Sequence, residues 1–239
     1  MTNEHHPTGN HLLDVLPEAE WARLAPHLVL VNMPLEQVVY ESDASVEHVY
    51  FPTTSVVSML NAVDDGTFTE IAIVGNEGLA GIALFMGGET IPSRAVVQSA
   101  GHAYRLDARI LKEEFYRAGP VQRLLLRYTQ ALITQMAQTV VCNQHHSVDQ
   151  QLCRWLLLSI DRLPSSELTM TAGLISNISG VKGNDMTEAA TKLEDARLIR
   201  CTDAHIEVLD RQGLESRVCE CYGVVKREFS RLLPDSEAA

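Results

Sequence analysis

Residues 168–199 read LTMTAGLISNISGVKGNDMTEAATKLEDARLI, and this stretch decides how the C-terminal part of the chain is interpreted. Leu174, Ile175 and Ile178 recur at helical spacing and predict a short helix. Gly180 follows as a turn residue, because glycine adopts backbone conformations that other residues avoid. The pattern therefore predicts a short helix that ends in a turn.

A second short helix is predicted after this turn. Asp185 is followed three residues later by Glu188, a spacing that resembles a capping box, and Asn184 is an alternative N-cap. The buried face of this helix is expected to consist of Met186, Ala189, Ala190 and Leu193.

The segments around this helix pair complete a recognisable motif. Two strand-like runs, 198–200 and 205–209, flank the turn at 202–204 and predict a small hairpin, or wing. Further helices are predicted at 148–163 and 211–233. The C-terminal part therefore has the pattern of a winged helix-turn-helix.

The region between residues 28 and 106 has a different, β-rich pattern. Turn signals separate short apolar runs, and the Asp65-Gly66 pair between two of them predicts a hairpin. Many short strands at such spacing are typical of a sandwich, jelly roll or barrel. The predicted strands are 28–31, 38–40, 48–51, 56–63, 69–74, 95–98 and 102–106.

One long helix, predicted from residue 121 to about 143, connects these two parts. One set of residues, from Val121 to Thr139, is spaced along this helix by four and three positions in turn, as in the heptad seam of a coiled coil. The seam could pack on the chain's own strands, but Leu124, Leu126 and Ile133 add apolar surface beyond one stripe and favour dimerisation. The predicted dimerisation residues are Val121, Leu125, Tyr128, Leu132, Gln135 and Thr139.

Composition and charge limit the classes of protein to which the chain can belong. The chain has 239 residues, of which 46% are hydrophobic and 21% charged, so it can form a packed core. Its formal net charge of −12 argues against a passive coat for nucleic acid. From His145 onward, 11 Lys and Arg stand against 15 Asp and Glu, whereas 8 stand against 16 before it. The excess of acid therefore lies mainly in the N-terminal part.

The location of the protein in the cell is predicted from the N-terminal residues, the apolar runs and the cysteines. Residues 1–10 are polar and do not have the pattern of a signal or transit peptide. A run of about 18 apolar residues, which a membrane-spanning helix needs, is not found. The five cysteines are an odd number, which is typical of reduced thiols, so we expect a cytoplasmic protein.

The order of these parts and several local motifs resemble the Crp/Fnr family of bacterial transcription regulators, from about residue 12 to 233. The resemblance implies an α+β fold in three parts. These are a cyclic-nucleotide-binding-like jelly roll at 12–118, a long dimerisation helix at 119–144 and a winged helix-turn-helix DNA-binding domain at 145–233. The motifs that carry it are HVYFP at 48–52, VGNEG at 74–78, Arg94-Ala95, CNQHHSV at 142–148, RWLL at 154–157, the helix pair at 168–199 and CECY at 219–222.

This resemblance implies a homodimer that binds double-stranded DNA, with the second helix of the pair in the major groove. RNA polymerase is a further candidate partner, and no membrane is involved. The family usually places Arg at the positions of Gly183 and Glu188, where Arg can read guanine. The DNA-binding residues implied here are Thr171, Lys182, Gly183, Asn184, Asp185, Thr187 and Lys192.

Because the two Arg positions are changed, we expect DNA binding with weakened or altered sequence preference. The alternative is a degenerate family member that has lost base readout and acts as a ligand-responsive or protein-interaction module.

The sensory domain departs from the sequence pattern of the family's cyclic-nucleotide site. Gly81 stands where cyclic-nucleotide binders have the Glu that holds the ribose. Ser93 and Arg94 have the phosphate-binding residue types in reversed order. We therefore expect no cofactor, an unknown or absent effector and no binding of cyclic AMP, with these three residues as the candidate effector site.

Metal and catalytic chemistry are not predicted. Cys142, His145 and His146 have ligand types at short spacing, but cysteine is commonly a small buried apolar residue. Cys219 and Cys221 are two apart, so on a helix they would point to different faces. The sequence also has no nucleophile–base motif, phosphate loop or HExxH site, so we predict no metal site and no enzyme.

Overall fold

The computed structural model describes residues 8–62, 67–88, 90–164, 166–169, 183–202 and 205–233. The N-terminal domain contains seven strands among these residues. They are β1 (Val29–Met33), β2 (Val38–Tyr40), β3 (His48–Pro52), β4 (Val56–Ala62), β5 (Phe68–Val74), β6 (Arg94–Ser99) and β7 (Gly101–Asp107).

These strands form two antiparallel sheets that enclose the first core. One sheet has the order β1-β7-β3 and the other the order β2-β6-β4-β5. Phe51 and Leu106 from the first sheet pack in one cluster with Met59 and Val74 from the second. The β-rich prediction is confirmed, because turn residues and strand propensity were both clear in this region. The predicted Asp65-Gly66 turn lies outside the described residues.

Before β1 the chain forms two short helices, α1 (His11–Asp14) and α2 (Glu18–Leu24), whose buried leucines belong to the first core. Asn10 is fully buried and caps α1, since its Oδ1 accepts a hydrogen bond from the Leu12 N–H at 3.1 Å. Its Nδ2 donates to the carbonyl oxygens of Pro52 and Gly78. One side chain thus ties the N-terminal segment to the β domain.

Two helices follow the strands, α3 (Ala108–Tyr116) and the long α4 (Pro120–His145). The seam proposed for dimerisation faces the chain's own interior and therefore needs correction. Heptad spacing marks a buried stripe without saying which surface buries it. All six of its residues are buried within the single chain, namely Val121, Leu125, Tyr128, Leu132, Gln135 and Thr139.

The C-terminal domain consists of short helices around a three-stranded sheet of order β8-β10-β9. Trp155, Leu156, Met186, Leu193 and Ile206 form the centre of its core. The wing is confirmed as the antiparallel pair β9–β10. The elements are α5 (Val148–Ile160), β8 (Glu167–Thr169), α6 (Gly183–Asp195), β9 (Ile199–Cys201), β10 (His205–Val208), α7 (Arg211–Arg217) and α8 (Glu220–Leu232).

Three details of this domain differ from the sequence prediction or fall outside the described residues. The predicted last helix is interrupted before Cys219, which has an extended backbone, so it becomes α7 and α8. Helix α6 starts at Gly183, and Asn184 and Asp185 therefore lie in its first turn instead of preceding it. The predicted first helix of the pair lies outside the described residues.

None of the described helices is long and apolar enough to cross a bilayer.

The turn at 74–78 docks the β domain onto α4 and the end of α5. A Cβ on Gly78 would lie 2.3 Å from the Tyr128 ring, and a Cβ on Gly75 would lie 2.5 Å from the Cβ of Arg162. The Tyr128 hydroxyl donates to the Leu79 carbonyl at 3.0 Å, which holds the ring in place. The backbone approaches so closely that only glycine fits at these two positions.

We expect Gly78→Ala to lower the free energy of unfolding by about 1–3 kcal/mol, because the new methyl group overlaps the fully buried Tyr128 ring. The measurement is urea denaturation followed by circular dichroism. Gly88→Ala is the matched control, since its added Cβ would make only an ordinary contact, 3.6 Å from the Thr90 carbonyl oxygen, and it should change stability by less than about 0.5 kcal/mol. Equal stability of both variants would contradict the tight docking.

Candidate nucleic-acid interface

Helix α6 buries an apolar face against the domain core and presents its other face to solvent. The predicted buried residues are confirmed, since Met186, Ala189, Ala190 and Leu193 are all buried. The exposed face carries Asp185, Thr187, Glu188, Thr191 and Lys192. This arrangement gives α6 the surface position that a groove-binding helix requires.

The exposed face of α6 is acidic. Between 185 and 195 it carries four carboxylates and one lysine. The Lys192 Nζ lies 3.1 Å from Glu188 Oε1 and 3.7 Å from Asp149 Oδ1. The hydrogen bond to Glu188 and the charge of Asp149 raise the Lys192 pKa, so this lysine stays charged but is neutralised by its neighbours. A phosphate would have to displace these carboxylates to reach it.

The predicted DNA-binding residues differ in where they lie. Asp185, Thr187 and Lys192 are exposed on one helix, and Gly183 and Asn184 lie in its first turn. The predictions for Thr171 and Lys182 fall outside the described residues.

The three candidate effector residues do not form an open anion site. Gly81 has φ +116°, and a Cβ there would lie 2.9 Å from Val49 Cγ1, so a glutamate does not fit at this position. Arg94 Nε lies 3.0 Å from Glu41 Oε2, and its guanidinium lies 5.5 Å from the centre of the Phe68 ring. Ser93 is buried. Arg94 therefore already has a carboxylate partner.

A buried ion pair joins the β domain to the helices. Arg162 Nε donates to Glu77 Oε1 at 2.7 Å, and its other nitrogens donate to Gln135 Oε1 at 2.6 Å and the Leu158 carbonyl at 2.7 Å. Glu77 also accepts from the Gly75 N–H at 3.0 Å. Buried charges need such complete hydrogen bonding. Separation of the two parts would therefore expose both charges to water or leave them buried without a partner.

A second buried network crosses the same boundary between β4, β5, β6 and α5. Glu70 Oε1 accepts from Trp155 Nε1 at 3.0 Å, and Glu70 Oε2 lies 2.6 Å from Ser58 Oγ. Ser58 Oγ also lies 2.7 Å from Gln98 Oε1, and Gln98 Nε2 donates to Ser159 Oγ at 3.1 Å. The network thus connects the strand sheet directly to the C-terminal domain.

The single hydroxyl proton of Ser58 limits which hydrogen bonds this network can form at one time. Ser58 has one hydroxyl proton and contacts two oxygen atoms, so it donates to only one of them. Donation to Glu70 Oε2 satisfies an ionised carboxylate, whereas donation to Gln98 Oε1 leaves Glu70 Oε2 without this donor unless Glu70 is protonated. Burial raises the pKa of Glu70 to about 7, although the hydrogen bonds from Ser58 and Trp155 and the charges of Arg154 and Arg162 oppose this.

Sequence analysis missed both networks. The motifs VGNEG and RWLL contain Glu77 and Trp155, but their partners lie 85 residues away in each case. No local pattern signals contacts of this length.

The structure also brings together four potential metal ligands that sequence analysis separated. The ligand atoms of Cys142, His146, Cys219 and Cys221 all lie within 4.8 Å of one another. The expectation that Cys219 and Cys221 point apart is wrong, because Cys219 precedes α8 and has φ −76° and ψ 166°. The exposed His145 does not belong to this group.

A cavity of about 330 Å³ lies beside the Glu77–Arg162 pair, between α5 and α8. His11 and Lys226 line it together with Asp161 and the Phe229 ring. Its position at the boundary means that a molecule bound there would contact both parts of the chain.

We expect Glu70→Gln to remove a pH-dependent component of stability. The folded-state pKa of about 7 exceeds the ordinary 4.5, so protonation favours the folded state. This contribution is present at low pH and is lost as the pH rises from 4.5 through 7. Between these limits, the wild-type free energy of unfolding should fall by about 3 kcal/mol relative to the variant.

The measurement is urea denaturation from pH 5 to 8 in parallel for wild type and variant. Glu47→Gln is the matched control, because this carboxylate is exposed, and its pH profile should follow that of the wild type. A constant difference between wild type and Glu70→Gln across this range would contradict a protonated Glu70.

Comparison with known proteins relates the C-terminal domain to a known family. Residues 150–217 match the family model of the Crp-like helix-turn-helix domain. Among curated proteins, no sequence gives a significant match.

Solved structures match across most of the chain. FixK2 from Bradyrhizobium japonicum has a TM-score of 0.67 at 16% identity, covering 80% of this chain and 98% of its own. A CRP-family transcriptional regulator from Thermus thermophilus has a TM-score of 0.64 at 15% identity, covering 78% and 95%. The c-di-GMP-responsive global regulator CLP from Xanthomonas campestris has a TM-score of 0.60 at 13% identity, covering 80% and 99%. The chain therefore has the fold of the Crp/Fnr transcription regulators and carries a Crp-like helix-turn-helix domain.

Proposed function

We propose that this protein is a homodimeric, DNA-binding transcription regulator of the Crp/Fnr type. The observation that carries this proposal is the exposed polar face of α6 within a Crp-like helix-turn-helix domain. The domain limits 12–118, 119–144 and 145–233 remain part of the proposal, as do a cytoplasmic location and contact with RNA polymerase. No catalytic role is proposed.

The exposed face of α4 supports the dimer. Leu126, Ile133 and Val140 are 51%, 53% and 61% exposed and recur in steps of seven. Gln130 and Ala137, also exposed, lie between them and complete a heptad pattern of steps of four and three. This exposed stripe extends over about 21 Å of helix and replaces the buried seam as the proposed contact with a second copy.

Ile133→Glu should convert the dimer to a monomer, because it places a charge at the centre of the exposed stripe. Sedimentation velocity would show a shift toward half the mass. Tyr116→Glu is the matched control, since Tyr116 is 63% exposed on α3, and this variant should remain dimeric. A monomeric wild type, or a dimeric Ile133→Glu, would contradict the proposed contact.

The surface charge of α6 supports weakened base readout. Gly183 has no side chain to contact a base, and Glu188 repels phosphate while it pairs with Lys192. Lys182 and Asn184 are the proposed contacts, to a phosphate and to adenine respectively. We therefore propose binding that depends mainly on the DNA backbone and is strongly sensitive to salt.

An electrophoretic titration with the DNA upstream of the protein's own gene tests this proposal. The wild type should produce a salt-sensitive shift below about 10 μM. Lys182→Ala should weaken binding and reduce the salt slope by about 1, whereas Glu188→Gln should strengthen binding. Lys226→Ala serves as the control, because this lysine lies on α8 beside Tyr222.

The four carboxylates of α6 also favour a second candidate, a protein-interaction module without base readout. The same titration separates the two candidates. If the wild type gives no shift while Glu188→Gln does, DNA binding has been lost through charge alone, and the second candidate is favoured.

Regulation is proposed to act through the boundary between the β domain and the C-terminal domain. The Glu77–Arg162 pair and the Glu70 network hold α5 against the strands. An effector, whose identity is open, would have to bind more tightly to one arrangement of this boundary than to another. The cavity beside Arg162 is the proposed place for such a molecule.

A further inference from the structure

Four side chains with metal-binding atoms meet where α4 ends, α5 begins and α8 begins. Cys142 belongs to the last turn of α4, His146 directly follows it, and Cys219 and Cys221 lie at the start of α8. The three cysteines are buried and form a cluster separate from the larger apolar cores. They therefore do not serve as part of an extended hydrophobic surface.

The distances within this group fit a single tetrahedral ion. Cys142 Sγ lies 3.6 Å from Cys219 Sγ, and Cys221 Sγ lies 3.6 Å from His146 Nδ1. Around a tetrahedral Zn²⁺ with ordinary bond lengths, two sulfurs are about 3.8 Å apart, and a sulfur and a nitrogen about 3.5 Å apart. These two pairs are thus close to the separations that the ion requires, and all four ligand atoms lie within 4.8 Å of one another.

The surroundings orient these ligands. His146 Nε2 lies 3.3 Å from Glu220 Oε1, so Nε2 carries the hydrogen and leaves Nδ1 free to bind a metal. Gln151 Nε2 donates to the His146 carbonyl at 3.0 Å and to the Cys142 carbonyl at 3.4 Å. The backbone at the end of α4, which carries Cys142 and His146, is therefore held by one side chain.

A buried positive charge supplies an independent observation. Arg154 is 6% exposed, and its Nε has no hydrogen-bond partner. Within the described part of the chain this guanidinium has no salt bridge; its Nη1 donates to Thr139 Oγ1 at 3.4 Å, and its charge acts on Cys142 and Cys221 as well as on Glu70. Three thiolates around a divalent ion carry a net charge of −1, which would balance this arginine.

We infer that Cys142, His146, Cys219 and Cys221 form a closed site for one Zn²⁺ ion per chain. Thiolate and imidazole ligands select Zn²⁺ over hard cations such as Mg²⁺ and Ca²⁺. A multi-iron cluster would hold its thiolates farther apart, because the cluster itself occupies the centre. Four protein ligands leave no open position, which is the arrangement of structural zinc.

This site would connect the end of α4 to the start of α8. Because α4 also carries the exposed apolar stripe, the ion would fix the C-terminal domain relative to that helix. Metal binding requires neither a dimer nor DNA, so the inference does not depend on the proposed function.

The test uses the full chain, purified without oxygen and with a reducing agent. Elemental analysis should give about one zinc per chain, and removal by a chelator should lower the melting temperature. Replacement by Co²⁺ should give the intense visible absorption of tetrahedral thiolate coordination. Absence of zinc in protein with reduced thiols, or an octahedral cobalt spectrum, would overturn the inference.

Variants then identify the ligands. Cys142→Ser and Cys221→Ser should lose zinc, whereas Cys153→Ser and Cys201→Ser, which alter cysteines outside the group, should retain it. Glu220→Gln changes a side chain that is 75% exposed, so the fold should persist while zinc affinity falls 10–100-fold. Unchanged zinc content in Cys142→Ser, or a Cys142–Cys219 disulfide in the anaerobic protein, would refute the site.

Discussion

The structure depends on the close contact between the turn at 74–78 and the helices behind it. Two glycines allow the backbone to approach the Tyr128 ring and the Arg162 side chain, and Glu77 then meets the buried guanidinium. Apolar contacts alone would leave the relative position of the β domain and the C-terminal domain loosely defined, because they are not directional. The ion pair selects one relative position, and the position of α6 follows from it.

The sequence predicts those parts of the fold whose signals are local. Strands, the wing and the buried face of α6 follow from apolar spacing and turn residues within a few positions. The partner of a buried stripe is not a local property. The steps of four and three from Val121 to Thr139 identify a buried face of α4, but the face covers the chain's own core, and the adjacent stripe through Ile133 is the exposed one.

The candidate sites were harder to predict, because tertiary contacts assemble them. Cys142 and Cys219 are 77 residues apart, and the interruption of two residues between α7 and α8 decides where Cys219 points. Glu70 resembles an ordinary surface carboxylate in the sequence, yet it is buried beneath Trp155. Gly81, Gly183 and Glu188 indicated their chemistry in advance, since each departs from the residue type that is usual in the family motif.

The Glu70 network makes the junction of the two domains a proton-binding element. Opening of that junction would hydrate the carboxyl group and release its proton near neutral pH. By linkage, the opening equilibrium then shifts by up to about tenfold for each pH unit between 4.5 and about 7, and it levels off above this range. Alkalinity and any ligand of the open form would therefore reinforce each other, even though they act at different atoms.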